Sequence, residues 1–200
     1  MLRKINTTLL ILIIVINGYV IIAPLLPGLL FGLGNSAAKK QQLQHDIIIP
    51  KTSKSVTKPS TVAATQPNHV IIPSMLLDQP ILEGPESQQY KILNNGIWRF
   101  SWSSTPDKGG NTVLIGHRFT YTNPRGVFYF LNKVSIGDSI AVFWNKQEYL
   151  YKVVTISQVP PSDTAIEHNT ANPELTLFTC TPLWLPKDRL VIVADLEGKT

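Results

Sequence analysis

The pattern of apolar and polar positions divides the chain into three parts. Residues 1–38 carry only two charges, and the stretch from Leu9 to Leu26 consists mostly of Leu, Ile and Val. A membrane-spanning helix needs about 20 such residues. Residues 39–69 are rich in Lys, Gln, Ser, Thr and Pro, and this composition buries too little apolar surface to offset the entropy of ordering. We therefore predict an anchor over 1–38, a flexible basic stalk over 39–69 and one folded domain over 70–200.

The charges around the apolar stretch favour a retained membrane anchor. Arg3 and Lys4 precede it, and the next basic residues are Lys39 and Lys40, so the N-terminus is expected in the cytoplasm. The alternative is a cleaved signal peptide with small residues at positions 36–38, but the apolar core of such a peptide is only about 7–15 residues long. On either interpretation the rest of the chain is exported.

From residue 70 the chain alternates short β-type runs with turn signals. The segment 145–147 separates two of these runs and indicates a hairpin, and short helices are predicted over 86–93 and 127–131. Eight runs in 131 residues favour an all-β fold, either a closed barrel or a sandwich. The predicted strands are Val70–Ile72, Pro80–Leu82, Ile97–Phe100, Thr112–His117, Ser139–Trp144, Glu148–Ile156, Glu174–Thr179 and Arg189–Asp195.

The net charge of +5 does not indicate a nucleic-acid partner, because the excess lies outside the folded domain. Seven of the eighteen basic residues precede residue 70, whereas residues 70–200 carry 11 basic and 12 acidic residues. Nucleic-acid binding requires a basic surface on the domain itself. The basic segment suits anionic lipid headgroups or wall polymers instead.

Three side chains with useful chemistry stand at the ends of predicted strands. Cys180 is the only cysteine and follows one strand, Arg189 begins the next, and His117 ends an earlier one. A cation beside a thiol favours the nucleophilic thiolate, and a histidine can exchange protons with it. If the strands on either side of the 181–188 loop pair antiparallel, Cys180 and Arg189 face the same groove.

Each of these residues has an ordinary alternative when it is taken alone. A lone cysteine is often a buried small hydrophobe, and a single histidine is more often structural than catalytic. The arginine is then a surface charge paired with Asp188 or Glu197. The coincidence of all three at strand ends favours a catalytic site. His168, in a polar loop, is the competing base and is expected to be a solvated loop histidine.

Three motifs resemble those of the sortases, the cysteine transpeptidases of bacterial cell surfaces. The family's signature is TLxTC followed by an arginine at the start of the next strand, with a histidine at the end of an earlier strand. The resemblance covers about residues 70–196 and is of the class D, E or F type. It implies a single closed eight-stranded β-barrel with one or two short helices, preceded by an N-terminal transmembrane helix. The motifs are Gly116-His117-Arg118-Phe119, Thr176-Leu177-Phe178-Thr179-Cys180 and Arg189-Leu190-Val191-Ile192.

The resemblance also implies a two-step acyl transfer outside the plasma membrane. Cys180 attacks an LPxTG-like sorting signal of a surface protein and forms a thioacyl enzyme. His117 protonates the leaving amine and deprotonates the incoming one, which comes from a peptidoglycan precursor or a pilin lysine. Arg189 positions the substrate and stabilises the oxyanion. Thr179 and Thr181 are further candidates beside the oxyanion.

The resemblance places the sorting-signal pocket near the segment before the cysteine strand. No cofactor is expected, because Asp163 and Glu167 are too few carboxylates for calcium, which takes six to eight oxygen ligands. Trp184, in the loop after Cys180, is either a groove wall or a packing residue. The groove candidates are Ser162, Asp163, Thr164, Ala165 and Trp184.

Two other functions stay open. An exported cysteine endopeptidase would hydrolyse the same acyl intermediate, although papain-like enzymes place the cysteine before the histidine, and here His117 comes first. A non-catalytic extracellular β-domain would bind a partner and keep Cys180 buried and inert.

Overall fold

A computed structural model describes residues 2–23, 25–33, 36–47, 68–120, 122–183 and 185–200. Within these ranges the predicted eight strands are confirmed, and they follow one another along the chain from residue 69 onward. They are β1 His69–Ile72, β2 Leu77–Leu82, β3 Ile97–Arg99, β4 Asn111–Ile115, β5 Ser139–Trp144, β6 Gln147–Val159, β7 Glu174–Thr181 and β8 Asp188–Lys199.

The strands close into one barrel in the order β1-β2-β3-β4-β7-β8-β6-β5. The pairs β2–β3 and β4–β7 are parallel, and the other neighbours are antiparallel. Closure gives the backbone of every strand a partner on both sides and removes exposed sheet edges. The fold is therefore the barrel and not the sandwich.

The three neighbouring strands β4, β7 and β8 are apolar on both of their faces. Alternate residues point in opposite directions along a strand. The large core inside the barrel includes Leu114, Leu177 and Ile192. The opposite, outer face carries a second buried cluster of Val113, Phe178 and Val191. Ile166, from the connection between β6 and β7, packs on this outer cluster, which explains why these strands read as continuous apolar runs.

The turn between β5 and β6 confirms the predicted hairpin. Trp144 pairs with Gln147, so the loop contains two residues. Both of them, Asn145 and Lys146, have positive φ, at 50° and 66°. This is the backbone of a type I′ turn, whose twist matches that of the flanking strands.

The short-helix predictions have mixed outcomes. Residues 86–93 are helical, as a 3₁₀ turn Glu86–Gln88 followed by a helix Gln89–Leu93. The helix predicted over 127–131 is wrong: residues 127–130 form turns, and one 3₁₀ turn follows at Leu131–Lys133. The amide of Phe128 donates to the carbonyl of His117 at 2.9 Å, which ties this segment to the chain beyond β4. Its own backbone bonds, from Tyr129 to Gly126 and from Leu131 to Phe128, join residues three apart as in turns and not four apart as in an α-helix.

In the described part of the chain, three helices precede the barrel: α1 Leu2–Ile22, α2 Leu26–Leu33 and α3 Ser36–His45. Helix α1 is long and apolar enough to cross a membrane, and it ends shortly before Pro24, a residue type that breaks helices.

The stalk predicted over 39–69 differs from the structure at both ends, because residues 39–45 belong to α3 and His69 begins β1. Leu43 of α3 is buried against Ile71, Phe143 and their neighbours. Residues 48–67 of the predicted stalk lie outside the described residues.

Candidate active site

Cys180 and Arg189 face each other across the antiparallel pair β7–β8. They are direct partners in the register, so their side chains project from the same face of the sheet. Cys180 is exposed, whereas its neighbours Thr179 and Thr181 are buried. The alternation puts the thiol on the outer face, together with Phe178. The antiparallel pairing expected from the sequence is confirmed, and the thiol is not a buried hydrophobe.

His117 reaches the same rim from the parallel neighbour β4. The last register pair of β4 and β7 joins Ile115 to Phe178, and His117 and Cys180 each lie two residues beyond it. The contact continues past the strand end, because the Thr179 hydroxyl donates to the carbonyl of Gly116 at 2.7 Å. The three strand ends therefore bring the three predicted residues to one place on the barrel.

Two glycines let the chain fold closely around His117. A Cβ at Gly116 would lie 2.6 Å from Val127 and 2.8 Å from the ring of Phe128. A Cβ at Gly126 would collide with the backbone carbonyl of His117. The turn at 126–128 thus packs directly against the backbone of the histidine. In the sequence, the signals for this turn are the glycines of Gly116-His117 and Gly126-Val127-Phe128. The helix prediction did not take them into account.

The electrostatics of the resting site favour neutral groups. Desolvation raises the pKa of the Cys180 thiol, and the smaller opposing effect is the positive charge of Arg189, which lowers it. Burial lowers the pKa of His117. At neutral pH the pair is therefore mainly a thiol and a neutral imidazole. Arg189 thus favours the thiolate, as expected from the sequence, but desolvation is the larger effect.

Arg189 is not a free surface charge. Its Nη1 donates to Oε1 of Glu167 at 2.7 Å, and its guanidinium lies 4.9 Å from the centre of the Phe178 ring. Among the described residues its ion-pair partner is neither Asp188 nor Glu197, which sequence reasoning considered; Glu197 pairs with Lys152. Glu167 was considered only as a calcium ligand, and nothing local in the sequence connects it to an arginine 22 positions away.

A second arginine, Arg118, also enters the site. Its Nη1 donates to Oγ1 of Thr181 at 2.7 Å, joining the residue after His117 to the residue after Cys180. Its Nε is buried without a hydrogen-bond partner in the described part of the chain, and desolvation lowers the pKa of Arg118. In the sequence, Arg118 belongs to the Gly116-His117-Arg118-Phe119 motif and has no predicted role of its own. A charged residue directly after a strand-end histidine was the available signal.

The remaining site predictions concern the two threonines beside Cys180, the competing base His168 and the groove residues. Thr179 is buried and points into the barrel, with its hydroxyl committed to Gly116, so the structure does not place that hydroxyl beside the thiol. Thr181 is also buried and accepts the bond from Arg118. His168 is exposed in a loop, as expected. The predicted groove residues of the β6–β7 connection, which lies over the outer face of the barrel, are Ser162, Asp163, Thr164 and Ala165.

The groove segment is locally ordered by its own polar groups. The backbone amide of Ala165 donates to Oδ1 of Asp163 at 3.1 Å, and a 3₁₀ turn Ala165–Glu167 follows. Trp184, the fifth groove candidate, lies outside the described residues. Within the described ranges no group of three or more His, Cys, Asp or Glu side chains is arranged to hold a metal ion.

Comparison with known proteins identifies the family. The sequence model of the Sortase domain family matches residues 70–197. The chain belongs to the sortase family. It is 30% identical to sortase A of Bacillus anthracis over 130 residues, which are 64% of this chain and 59% of that protein. It is 31% identical to sortase D of Bacillus subtilis over 133 residues, which are 65% of this chain and 61% of that protein.

A solved sortase has the same fold. The structure of sortase E1 from Streptomyces coelicolor, with a tripeptide in its active site, aligns with a TM-score of 0.56 at 26% identity. The alignment covers 66% of this chain and 88% of that one. The sortase barrel is thus confirmed, and the match to the two curated relatives spans only about three fifths of their length.

Proposed function

We propose that this sortase is a membrane-anchored cysteine transpeptidase. It cleaves an LPxTG-like sorting signal of surface proteins and transfers the acyl group to an amine of a peptidoglycan precursor or of a pilin lysine. The observation that carries the proposal is the register pairing of Cys180 with Arg189, with His117 two residues beyond the end of the adjacent strand β4, at the same rim.

The first half-reaction forms a thioester. The Cys180 thiol gives its proton to the neutral imidazole of His117, and Sγ attacks the carbonyl carbon of the scissile bond. The guanidinium of Arg189 donates to the oxyanion of the tetrahedral intermediate, an interaction of a kind worth roughly 2.7–4 kcal/mol per donor. The C–N bond then breaks, and the imidazolium returns its proton to the leaving amine.

The second half-reaction reverses these roles. An incoming amine attacks the thioester carbonyl, and His117 takes the proton that the amine loses. The C–S bond breaks, and the imidazolium returns the proton to the Cys180 sulfur. The resting pair of neutral thiol and neutral imidazole, which follows from the raised pKa of Cys180 and the lowered pKa of His117, is restored at the end of each cycle.

The proposed location is the outer surface of a bacterial plasma membrane. Helix α1 would cross the bilayer once, with Arg3 and Lys4 on the cytoplasmic side. The barrel would then stand where secreted substrates and wall precursors meet it. Selective labelling of a cysteine introduced near either end of α1, with a reagent that cannot cross the membrane, tests this orientation.

A peptide-library assay tests the reaction. The full chain in detergent is mixed with LPxTG and LPxTA peptides, together with triglycine or a diaminopimelate-containing stem peptide, and products are identified by mass spectrometry. We expect amine-bearing products that disappear in Cys180→Ala and His117→Ala and persist in His168→Ala. Free acid alone would support the endopeptidase instead. Full activity of Cys180→Ala would eliminate both enzymes.

A further inference from the structure

The carboxylate of Glu167 occupies an unusual position for a loop residue. Its ion pair with Arg189 is 2.7 Å long, and the two side chains are only 17% and 22% exposed. Removing an ion pair from water costs the hydration energy of both charges. The attraction between them offsets this cost only when the geometry of the pair is well fixed. Glu167 also stands in the connection between β6 and β7, far along the chain from the strand that carries Arg189.

The backbone on both sides of Glu167 is fixed to the strand that leads to His117. Asn111, the first residue of β4, is 1% exposed. Its Nδ2 donates to the carbonyl of Ile166 at 3.1 Å and to the carbonyl of His168 at 3.0 Å. One buried amide thus clamps the two residues that flank the glutamate.

Packing adds to this clamp. The side chain of Ile166 lies on the outer apolar cluster with Phe178, the same ring over which the Arg189 guanidinium lies. The loop and the arginine therefore share one rigid support. A long arginine side chain at a strand end otherwise populates many rotamers. In Arg189, Nη1 is bonded to Glu167 and one face of the guanidinium lies over the Phe178 ring.

The geometry points to Glu167 as a positioning residue that holds the Arg189 guanidinium in place for the substrate. Nη1 is committed to the carboxylate, and the other N–H groups of the guanidinium stay available as donors. The carboxylate also keeps the guanidinium from collapsing onto a Cys180 thiolate beside it. This inference rests on the oxyanion role proposed above for Arg189, and it adds a residue that touches neither the substrate nor the reacting atoms.

Two substitutions separate this role from a merely structural one. Glu167→Gln removes the charge and keeps an acceptor oxygen, whereas Glu167→Ala removes both. We expect kcat/KM to fall by roughly 10²-fold in Glu167→Ala, the scale of loss when a catalytic group is displaced by about 1 Å. The fall in Glu167→Gln is expected to be smaller, with most of it in kcat, because the guanidinium acts in the transition state.

The second readout is the pH dependence of Cys180 alkylation by iodoacetamide. Without the negative charge of Glu167, the positive charge of Arg189 is no longer partly neutralised. It then stabilises the Cys180 thiolate more strongly and lowers the pKa of the thiol further. The alkylation profile of both variants should therefore move to lower pH although their activity falls. His117 and Arg118 are unchanged in every variant, so they do not contribute to the difference. Partial unfolding would move the profile in the same direction, because it removes the desolvation that raises the pKa of Cys180; the circular dichroism and thermal unfolding of each variant are therefore matched to the wild type at the assay temperature.

The measurement uses the full chain in detergent, a fluorescence-quenched LPETG peptide and triglycine. Glu197→Gln is the matched control, since it breaks the exposed ion pair with Lys152 and should change neither readout. Lower kcat/KM together with the alkylation shift supports the inference. Unchanged kcat/KM, or a loss of activity without the shift, overturns it.

The same experiment keeps this inference separate from the proposed function. If the wild-type chain fails to process the peptide, the proposed transpeptidase activity fails, while the alkylation profile still reports whether Glu167 restrains Arg189. If the wild type is active and its activity depends on Cys180, a negative result for the Glu167 variants rejects the positioning role of Glu167 and leaves the proposed transpeptidase activity standing. Should Glu167→Ala not fold, the isosteric Glu167→Gln variant carries both readouts.

Discussion

The hydroxyl of Thr179 donates to the backbone carbonyl of Gly116 across 2.7 Å, inside the barrel. One residue further along β7 stands Cys180, on the outer face, and His117 directly follows Gly116 beyond the end of β4. The bond therefore fixes the spacing of the two proposed catalytic residues from beneath. A threonine at this position serves the active site through the backbone and not through contact with the substrate.

Thr179→Val tests this relationship. The substitution keeps the shape but leaves the Gly116 carbonyl without its donor in a buried place, at a cost of about 1–3 kcal/mol. We expect the free energy of unfolding to fall by that amount in denaturant titrations, and kcat to fall with it. Thr179→Ser keeps the hydroxyl and should retain most of the activity; equal losses in both variants would contradict a role for the bond.

Gly116→Ala should displace the histidine. The new methyl group would sit 2.6 Å from Val127 and 2.8 Å from the Phe128 ring, so the 126–128 turn must shift and carry the backbone of His117 with it. Overpacking of this kind costs about 1–3 kcal/mol. Thermal unfolding and peptide turnover measure the two effects. Gly18→Ala in α1, where a Cβ meets nothing within 4 Å, is the control and should leave both unchanged.

Arg189 lowers the pKa of the Cys180 thiol against the larger effect of desolvation. Removing the cation leaves desolvation unopposed, so Arg189→Gln should raise the thiol pKa further and move the alkylation profile to higher pH. The sign is opposite to that expected for Glu167→Gln. Iodoacetamide rates between pH 6 and 10 measure it, with Lys152→Gln as a control cation on the surface. A shift to lower pH in Arg189→Gln would show that the charge assignment is wrong.

The eight strands and the Cys180–Arg189 pairing could be predicted because both depend on local signals, whereas the pattern left a barrel and a sandwich open and only the resemblance to the sortases implied the barrel. Eight short apolar runs with turn residues define the strands, and a short connection between two of them implies antiparallel neighbours. The partners of Glu167 and Arg118 could not be found this way, because they are 22 and 63 positions away. Such contacts depend on where the irregular connections between strands cross the barrel. The periodic pattern of apolar residues does not predict the course of these connections.

Two other errors have the same physical origin. The apolar sequence at 127–131 suits a helix, but the His117 carbonyl captures the Phe128 amide, and a tertiary bond replaces a helical one. In the predicted stalk, Leu43 is buried against Ile71 and Phe143 of the barrel, and Ile47 packs on the same cluster. The average composition of the segment does not reveal these two contacts.

The hydrogen bond from Arg118 to Thr181 gives the last prediction. It joins the chain segments that follow His117 and Cys180, and a bond from a charged donor contributes about 1.5–3 kcal/mol. We expect Arg118→Met and Thr181→Val each to lower kcat/KM through misalignment of the two segments. The double variant should lose little more than the larger single loss, because both changes remove one interaction. Full additivity in this cycle would show that the two residues act independently.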